Sequence, residues 1–430
     1  MIEAQGNKGR QLTKECLEFI EKSPSCFHAA ANLAELLEEQ GFERLDEKTE
    51  WKIEKGGSYY VMRNSSSILA FRIPGKEPAG FHMMAAHSDS PCFKLKPDAE
   101  LSGEGQYVRL NTEKYGGMIL STWFDRALSV AGRVITGENG KLKEHLVMVD
   151  RDLVVIPNLA IHMSRDMNKG VEYNPQVDLL PLFGGKEAKD AFLKMIAKEI
   201  GCKTESILGS DLYLYVRQKG SFLGAKEEFI VSPRLDDLQC AFVTMKALAK
   251  SEPGDYVTVG AVFDNEEVGS QTRQGAASTF LKDTLENIAE ALGKQGSAYR
   301  RMIADSFLIS ADNAHARHPN RGEKADPVNA PYLNGGVVIK HHGGQKYMTD
   351  AGSEAYFKQL CREAEAPYQD YTNRSDIPGG STLGNIVTAK VSVAGVDVGL
   401  PQLAMHSAVE TAGSDDMEYL YRVALAYYTK

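Results

Sequence analysis

The chain has 430 residues, of which 43% are hydrophobic and 25% are charged, and its formal net charge is −9 at pH 7. This length predicts two domains, and the ordinary composition excludes a disordered, collagen-like or coiled-coil chain. The acidic charge and the lack of a dense Lys/Arg stripe exclude nucleic acid as an expected partner.

The first 92 residues contain predicted helices followed by predicted strands. The N-terminal stretch has a helical pattern, and apolar spacing predicts a second helix over 27–40, with Gly41 as its stop. Strand-like segments follow at 59–63, 68–72 and 81–87. We assign this segment to the first part of a discontinuous domain.

Residues 93–230 have a different pattern, in which short strand-like segments alternate with glycine and proline. The strand-like segments include 106–110, 153–157 and 211–216, and one clear helix is predicted over 186–201. We therefore predict that 93–230 form an inserted β-rich domain. Residues 1–92 and 231–430 are expected to form the other domain.

From residue 231 onward, predicted helices and strands alternate. The expected helices are 237–250, 276–293, 352–366 and 415–429, the last capped by Ser414. The expected strands are 256–264, 306–312, 337–340 and 390–399. Such alternation is typical of an α/β fold, here with a mixed, largely parallel sheet flanked by helices.

The cysteines and the apolar segments indicate a compartment. Six cysteines are scattered along the chain without a C-x-x-C pair, which in a chain of this length is typical of free thiols in a reducing compartment. The N-terminal segment lacks the apolar core of a signal peptide, and no apolar run approaches the ~20 residues of a membrane span. We therefore expect a cytoplasmic protein with no membrane partner, and any metal to be bound without sulfur.

Histidine and carboxylate side chains collect where predicted strands end or helices begin. They are His87, Asp236, Glu266, Glu267, Asp312 and His406. Ligand sites in open α/β sheets lie at the carboxyl edge of the strands, so these residues are candidates for one site. Imidazole and carboxylate donors without thiolate suit zinc, manganese or cobalt.

The number of donors exceeds what one catalytic zinc ion uses, since such an ion usually takes three protein ligands and a water. The same donors suffice for two ions if Asp236 bridges them. Glu267 is then expected to bind metal, which leaves Glu266 to take a proton from the attacking water and return it to the leaving amine.

Each of these residues also has an ordinary explanation. A histidine at a strand end, such as His87 or His406, is commonly a hydrogen-bonded surface residue, and a Glu-Glu pair commonly lies in a solvated loop. Asp236 stands where a helix N-cap would stand. Asp312 is more suggestive, because a carboxylate that closes a buried strand needs a partner.

Six segments, taken in order and at their intervals, resemble the aspartyl aminopeptidase family. They are HSDSP (87–91), SPRLDDL (232–238), DNEEVGS (264–270), ISADNAHARHPN (309–320), GGSTLG (379–384) and PQLAMHSAVE (401–410). The resemblance covers almost the whole chain. It implies an α/β peptidase domain with a phosphorylase/hydrolase-like sheet, interrupted by a β-rich dimerisation domain. It also implies a binuclear zinc site and a homododecamer built from dimers.

The resemblance also implies roles for single residues at the metal site. His87, Asp236 and Asp312 match the ligands of one ion, and Asp236, Glu267 and His406 match the ligands of the other. Glu266 matches the general acid/base, and Asp89 matches a carboxylate that orients His87. The family commonly has Asn where this chain has Asp237, which either adds negative charge beside the metals or caps a helix.

Three further residues match positions that the family uses around the substrate. His162 matches a histidine that reaches into a partner subunit's site, although its sequence context alone indicates a strand-edge surface residue. His315 matches a substrate-pocket histidine, or else it is a helix-start residue near a carboxylate. Lys340 matches a basic residue near an acidic substrate side chain, or else it is a strand-end lysine with a solvated ammonium. The segment 341–344 departs from the family pattern.

The sequence therefore predicts a metal-dependent aminopeptidase that acts on peptides, with a preference for acidic N-terminal residues. We expect two divalent ions per subunit and zinc as their identity. Cobalt and manganese fit the same donors. Two alternatives remain open at this point. One is a related binuclear hydrolase, such as a carboxypeptidase or an N-acyl-amino-acid deacylase, and the other is a non-catalytic oligomeric homologue.

Overall fold

The computed structural model describes residues 2–102 and 105–430, with side chains from residue 9 onward. The chain divides into two compact units. The larger unit comprises Met1–Asp89, Gly220–Met405 and Glu410–Lys430, and the smaller unit comprises Ser90–Lys219 and His406–Val409. Among the described residues, no helix combines the length and the apolar character that crossing a bilayer needs.

The helices begin and end as follows: α1 Ile2–Lys22, α2 Cys26–Glu38, α3 Phe192–Glu199, α4 Leu235–Lys250, α5 Phe280–Ala291, α6 Ser297–Ala304, α7 Ala351–Glu363, α8 Leu383–Thr388 and α9 Asp416–Tyr428. Local chemistry explains several of these limits. For example, the Asp350 side chain accepts the Ser353 N–H and the Ser353 side chain accepts the Asp350 N–H, a capping box that starts α7.

The strands of the first half are β1 Glu43–Leu45, β2 Ser58–Arg63, β3 Ser67–Arg72, β4 Phe81–His87, β5 Cys92–Ser102, β6 Tyr107–Tyr115, β7 Leu128–Glu138, β8 Lys141–Met148, β9 Leu182–Gly185 and β10 Ile207–Val216. Those of the second half are β11 Ser221–Leu223, β12 Phe229–Ser232, β13 Val257–Phe263, β14 Phe307–Ala311, β15 Ala314–His315, β16 Val337–His341, β17 Tyr368–Thr372, β18 Ala394–Gly399, β19 Pro401–Leu403 and β20 Glu410–Gly413.

The larger unit is built on a mixed sheet with the strand order β1-β2-β3-β13-β4-β14-β18-β16-β17. Its centre is parallel, because β13, β4, β14 and β18 are neighbours that run in the same direction. Every residue of β4 is buried, and its side chains alternate between two cores: Met84 and Ala86 belong to one, and Met83 and Ala85 to the other. Helices α2, α4 and α9 contribute to the first core and α5 to the second, so helices cover both faces.

A second, five-stranded sheet of the larger unit has the order β11-β12-β20-β19-β15. Strand β12 ends just before α4, and β19 and β20 are antiparallel neighbours. Because Ser232 at the end of β12 pairs with Glu410, this sheet places the start of α4 beside the start of β20.

The smaller unit contains a six-stranded antiparallel sheet with the order β8-β7-β10-β5-β6-β9. Its core combines strand residues such as Phe93, Leu128 and Leu214 with Phe192 and Ile196 of α3. Antiparallel pairing of strands that follow one another along the chain explains why this region shows short strand signals without alternating helices.

The alternation of helices and strands correctly predicted the mixed α/β sheet, but four local predictions were wrong. Of the helix predicted over 186–201, only Phe192–Glu199 forms an α-helix (α3), because Asp190 has a left-handed φ of 58° that interrupts it. No strand forms at 153–157, where isolated bridges are followed by Pro157, which lacks an N–H for pairing. The strand predicted over 390–399 begins at Ala394, since the N–H groups of Lys390 and Val391 bond to the end of α8.

The fourth error concerns Ser414, which does not cap α9. The N-cap position belongs to Asp415, and no side-chain cap is formed there. The Ser414 N–H instead donates to the Glu228 carbonyl, and its own carbonyl accepts the Thr13 hydroxyl. These bonds hold Ser414 as a continuation of β20, away from the geometry of a cap.

Candidate metal centre

Three parallel strands bring the predicted site residues to one edge of the large sheet. In the order β13-β4-β14, the strands end at Phe263, His87 and Ala311. His87 is therefore flanked by the turn that follows β13 and by Asp312, which directly follows β14. This is the carboxyl edge at which ligand sites of α/β sheets are found.

The His87 ring is surrounded by carboxylates. Its Nε2 lies 3.5 Å from Asp236 Oδ1 and 3.8 Å from Asp312 Oδ1, and the residue is 1% exposed. Its Nδ1 lies 3.0 Å from the Asp89 carbonyl oxygen and 3.4 Å from Asp89 Oδ1. Burial opposes protonation of His87, but these carboxylates hold its pKa well above the ordinary value. Asp89 thus fixes the ring so that Nε2 faces the other acids.

Asp236 and Asp237 lie at the start of α4 but have non-helical backbone angles, and the peptide bond between them is cis. The N-cap position belongs to Arg234, whose φ is 58°, so Asp236 does not cap the helix. Asp237 is fully buried, and its Oδ2 accepts the His87 N–H at 3.2 Å. Burial, and then the neighbouring acids, raise the pKa of Asp237 well above its ordinary value.

Glu266 and Glu267 form a tight turn after β13, and the Asp89 side chain accepts hydrogen bonds from the backbone of this turn. The Glu266 N–H donates to Asp89 Oδ1 at 3.1 Å, and the Glu267 N–H donates to Asp89 Oδ2 at 3.2 Å. Asp89 therefore holds the His87 ring mainly through its carbonyl oxygen and the Glu-Glu turn through its carboxylate. Burial, and after it the nearby Asp312 and Glu267, raise the pKa of Glu266 to about 8.

The donor atoms of these side chains fit a divalent cation. In each of two sets, one ligand atom per residue lies within 4.8 Å of the others: His87 with Asp236 and Glu267, and His87 with Asp237 and Asp312. Buried acids at such distances repel one another, and a cation between them removes that cost. The set contains imidazole and carboxylate but no thiolate, as zinc, manganese and cobalt accept.

The role of Asp237 in this cluster could not be decided from the sequence. The choice was between negative charge beside the metals and a helix cap; the N-cap position belongs to Arg234, and Asp237 instead contacts His87 within the cluster. Its position next to Asp236 was the available signal, but a run of two acids before a helix does not tell which one faces inward.

Lys340 and His315 have different surroundings. Lys340 is 3% exposed, and its Nζ lies 3.4 Å from Asp312 Oδ2 and 5.7 Å from the centre of the Tyr347 ring. Its ammonium is therefore buried and paired, which excludes the solvated strand-end alternative. His315 is exposed in β15, with its ring centre 6.2 Å from that of Tyr371.

His406 and His162 belong to the smaller unit. His406 has a left-handed φ of 65°, and its carbonyl accepts the Ile119 N–H at 3.0 Å. His162 is exposed in a turn between Ile161 and Met163. The ligand role of His406 and the substrate role of His162 therefore remain proposals.

The fold and the donor set together define a metal-binding α/β protein with its site at a sheet edge. Residues 19–428 match the family described as "Aminopeptidase I zinc metalloprotease (M18)". The chain belongs to this M18 peptidase family. It is therefore a metallopeptidase that hydrolyses N-terminal residues, as the six motifs predicted, and the carboxypeptidase, deacylase and non-catalytic alternatives are not favoured.

Curated relatives and solved structures agree with this assignment. The chain is 45% identical to "Probable M18 family aminopeptidase 2" of Clostridium novyi (strain NT) over 97% of this chain and 98% of the relative. It is 41% identical to the protein of the same name from Pseudomonas aeruginosa (strain UCBPP-PA14), with the same coverage.

Among solved structures, a chain in "Cryo-EM structure of the Ape4 and Nbr1 complex" has 38% identity and a TM-score of 0.95, over 98% of this chain and 86% of that one. The mApe1 dodecamer of S. cerevisiae has 27% identity and a TM-score of 0.85, over 97% of this chain and 96% of that one.

Gly399 provides a test of the backbone that carries Asp312. A Cβ at Gly399 would lie 1.8 Å from the Asp312 carbonyl oxygen, so one of the two strands must move. We expect Gly399→Ala to lower stability by about 1–3 kcal/mol and to reduce bound zinc at least tenfold. Thermal unfolding and zinc content after dialysis measure the two effects.

The control for this substitution is Gly352→Ala in α7, where the nearest atom to a new Cβ lies 3.4 Å away. This variant should keep the zinc content of the wild type. Unchanged stability and zinc content in Gly399→Ala would show that the strands tolerate the contact and that Asp312 is not held as described.

Proposed function

We propose that the protein is a binuclear aminopeptidase in which Glu266 carries the proton between the attacking water and the leaving amine. The observation that supports it best is the carboxylate cluster around His87, where two donor sets each lie within 4.8 Å. Together the two sets contain one imidazole and four carboxylates, which are more donors than one catalytic ion with three protein ligands and a water uses.

The proposed ligands of one ion are His87, Asp236 and Asp312, and those of the other are Asp236, Glu267 and His406. Asp236 is the bridge, since its Oδ1 lies 3.5 Å from His87 Nε2 and it also belongs to the set that contains Glu267. Zinc is the metal that the family description names. Asp237 is not one of the proposed ligands, but its carboxyl group accepts the His87 N–H and lies in the donor set that contains Asp312.

When bound, the ions polarise the scissile carbonyl and lower the pKa of the attacking water. Glu266 then acts as general base for this water and as general acid for the departing amine. The bond from its N–H to Asp89 fixes the backbone of the turn after β13, and the effect of Asp312 and Glu267 on the pKa of Glu266 indicates that its carboxyl group lies near the acid cluster. Glu267, in the same turn, is free of this task and serves as a ligand.

This division of labour predicts opposite results for two substitutions. Glu266→Gln should keep the wild-type metal content and lower kcat by about 100-fold or more, because a general base is lost while the ligands remain. His406→Ala should instead lose metal, because a proposed ligand is removed. Elemental analysis and steady-state kinetics on an aminoacyl p-nitroanilide separate the two. Full activity of Glu266→Gln, or wild-type metal content in His406→Ala, would refute the respective assignment.

The smaller unit, Ser90–Lys219 with His406–Val409, is the proposed dimerisation domain, inserted into a phosphorylase/hydrolase-like core. It exposes large apolar side chains: Leu142 (73%), Leu146 (40%), Leu159 (55%), Ile161 (46%) and Met163 (75%). Exposed apolar surface of this kind is typical of an interface. The similar mApe1 structure is a dodecamer, and we propose a homododecamer of dimers for this chain as well.

In such a dimer, His162 is proposed to enter the active site of the neighbouring subunit. Co-expression of Glu266→Gln and His162→Ala chains tests this. If subunits pair at random, half of the dimers are mixed, and each mixed dimer has one site with an intact Glu266 and the partner's His162. We therefore expect activity of about a quarter of the wild type from two inactive variants.

The control for this experiment is co-expression of Glu266→Gln with Glu267→Gln. Each of these changes affects the acid cluster of the chain that carries it. Every site in a mixed dimer therefore carries one of the two changes, and no intact site can form. Absence of recovered activity in the Glu266→Gln and His162→Ala pair, with mixed dimers demonstrated, would place His162 outside the partner's site.

Acidic N-terminal residues are the proposed preferred substrates. Lys340 and His315 would provide positive charge, and Tyr347 and Tyr371 are buried beside Lys340 in a small core. Because Lys340 already pairs with Asp312, a substrate carboxylate would share its ammonium with that residue. Because the ammonium is shared, acidic N-terminal residues should be cleaved with a higher kcat/KM than neutral ones, and neutral ones should still be cleaved.

A panel of aminoacyl p-nitroanilides measures the preference. The wild type should have a higher kcat/KM for the Asp and Glu substrates than for Leu, and Lys340→Met should lower the Asp-to-Leu ratio at least tenfold. The ratio cancels general loss of metal, which affects both substrates. His342→Gln, at a half-buried histidine two residues further along the chain, is the control. A wild-type preference for Leu would refute acidic specificity, and an unchanged ratio in Lys340→Met would refute the role of Lys340.

A further inference from the structure

A buried network of polar side chains in the larger unit joins the segments that carry the proposed ligands. Its members are Glu410, Gln402, Asn313, Gln239 and Cys240, each at most 2% exposed. Buried polar groups are costly unless they are hydrogen-bonded, so a connected set of this size points to a specific arrangement that the fold maintains.

Glu410 contacts the backbone of the proposed bridging ligand. The Asp236 N–H donates to Glu410 Oε2 at 3.0 Å. Asp236 lies in the first turn of α4 with a φ of −81° and a ψ of 108°, where an N–H has no partner within the helix. Glu410 therefore supplies an acceptor for this peptide and fixes the direction of the Asp236 side chain.

The network continues from Glu410 to the segment of Asp312. Gln402 Nε2 donates to Glu410 Oε1 at 3.4 Å, and Asn313 Nδ2 donates to Gln402 Oε1 at 2.8 Å. Asn313 is the residue that directly follows Asp312. The segments of Asp236 and Asp312, which are distant in sequence, are thus linked through three side chains.

Two further bonds close the network into a ring. Asn313 Nδ2 also donates to Gln239 Oε1 at 3.1 Å, and Cys240 Sγ donates to Asn313 Oδ1 at 3.3 Å. Gln239 and Cys240 lie in α4, one turn after Asp236. A displacement of Glu410 would therefore be transmitted to α4 by two routes.

Glu410 and Gln402 also stand at the base of the loop that carries His406. Gln402 lies in β19 and Glu410 is the first residue of β20, and these two strands are antiparallel neighbours. The bond between the two side chains spans the residues that connect the strands, among them His406. The network therefore reaches the segments of Asp236 and Asp312, and its residues Gln402 and Glu410 lie on either side of His406 along the chain.

We propose that Glu410 is a positioning residue of the metal site, which acts through the Asp236 peptide and, by way of Gln402 and Asn313, on Asp312. This inference rests on the proposed binuclear function. A carboxylate suits the task, because hydrogen bonds to an ionised acceptor are stronger than those to a neutral one. Its negative charge behind Asp236 also favours cation binding.

The test is Glu410→Gln in the full-length protein, which keeps the shape of the side chain and removes its charge. We expect the affinity for zinc, measured by competition with a chromophoric chelator, to fall about 10–100-fold. The visible spectrum of the cobalt-loaded variant should also change, since the geometry of the ligands is altered. The melting temperature of the metal-free protein is measured in parallel.

The matched control is Asp416→Asn. Asp416 is also a buried carboxylate of the larger unit, 1% exposed, and it accepts the N–H groups of Asn334 and Gly336 at 2.7 and 2.9 Å. This variant should lower the melting temperature while zinc affinity and the cobalt spectrum stay as in the wild type. A general loss of stability is thereby separated from a specific effect on the site.

Wild-type zinc affinity and an unchanged cobalt spectrum in Glu410→Gln would overturn the positioning role. If this variant does not fold, Gln402→Met breaks the same network one bond further away and should weaken zinc binding about tenfold; unchanged affinity there would overturn the proposal equally. Zinc binding by the wild type is tested first. Its absence would overturn the binuclear function itself, whereas wild-type binding with no effect of Glu410→Gln would overturn only the inference about Glu410.

Discussion

The density of buried carboxylates around His87 is the constraint on which the rest of the larger unit depends. Asp89, Asp236 and Asp237 are each at most 3% exposed, and Asp312 is 9% exposed. At such burial, like charges repel one another and oppose a compact state unless positive charge lies nearby. Lys340 supplies part of that charge through its pair with Asp312, and bound cations would supply more. The parallel strands, the Asp89 bonds and the turn after β13 all hold these acids where cations can offset their repulsion.

Much of this arrangement could be predicted from the sequence, because the central strands are buried on both faces and read as apolar runs. The predicted strands 81–87, 256–264 and 306–312 match the limits of β4, β13 and β14 within two residues. Each of these strands ends at a site residue or next to one. Since parallel strands share one carboxyl edge, the strand ends alone indicated that His87, Asp312 and the Glu-Glu pair would meet. Motif order then distinguished a peptidase from a set of ordinary strand-end residues.

The rest depended on contacts between distant segments, which local patterns do not encode. The assignment of His406–Val409 to the smaller unit interrupts a stretch that otherwise belongs to the larger one. Ser414 has the chemistry of an N-cap, yet its backbone is bonded to Glu228 and Thr13. Glu410 had no local signal, because its importance lies in the Asp236 N–H, 174 residues away. Tertiary hydrogen bonds decided each of these cases against local propensity.

The central claim is that the acid cluster holds two divalent cations. The most direct measurement is the zinc content of metal-free wild-type protein after equilibrium dialysis against buffered free zinc, by elemental analysis per chain. We predict two ions per chain, and a higher melting temperature for the loaded protein because the ions bind the folded state. A folded protein that reaches full aminopeptidase activity with one ion per chain, or with none, would contradict the claim.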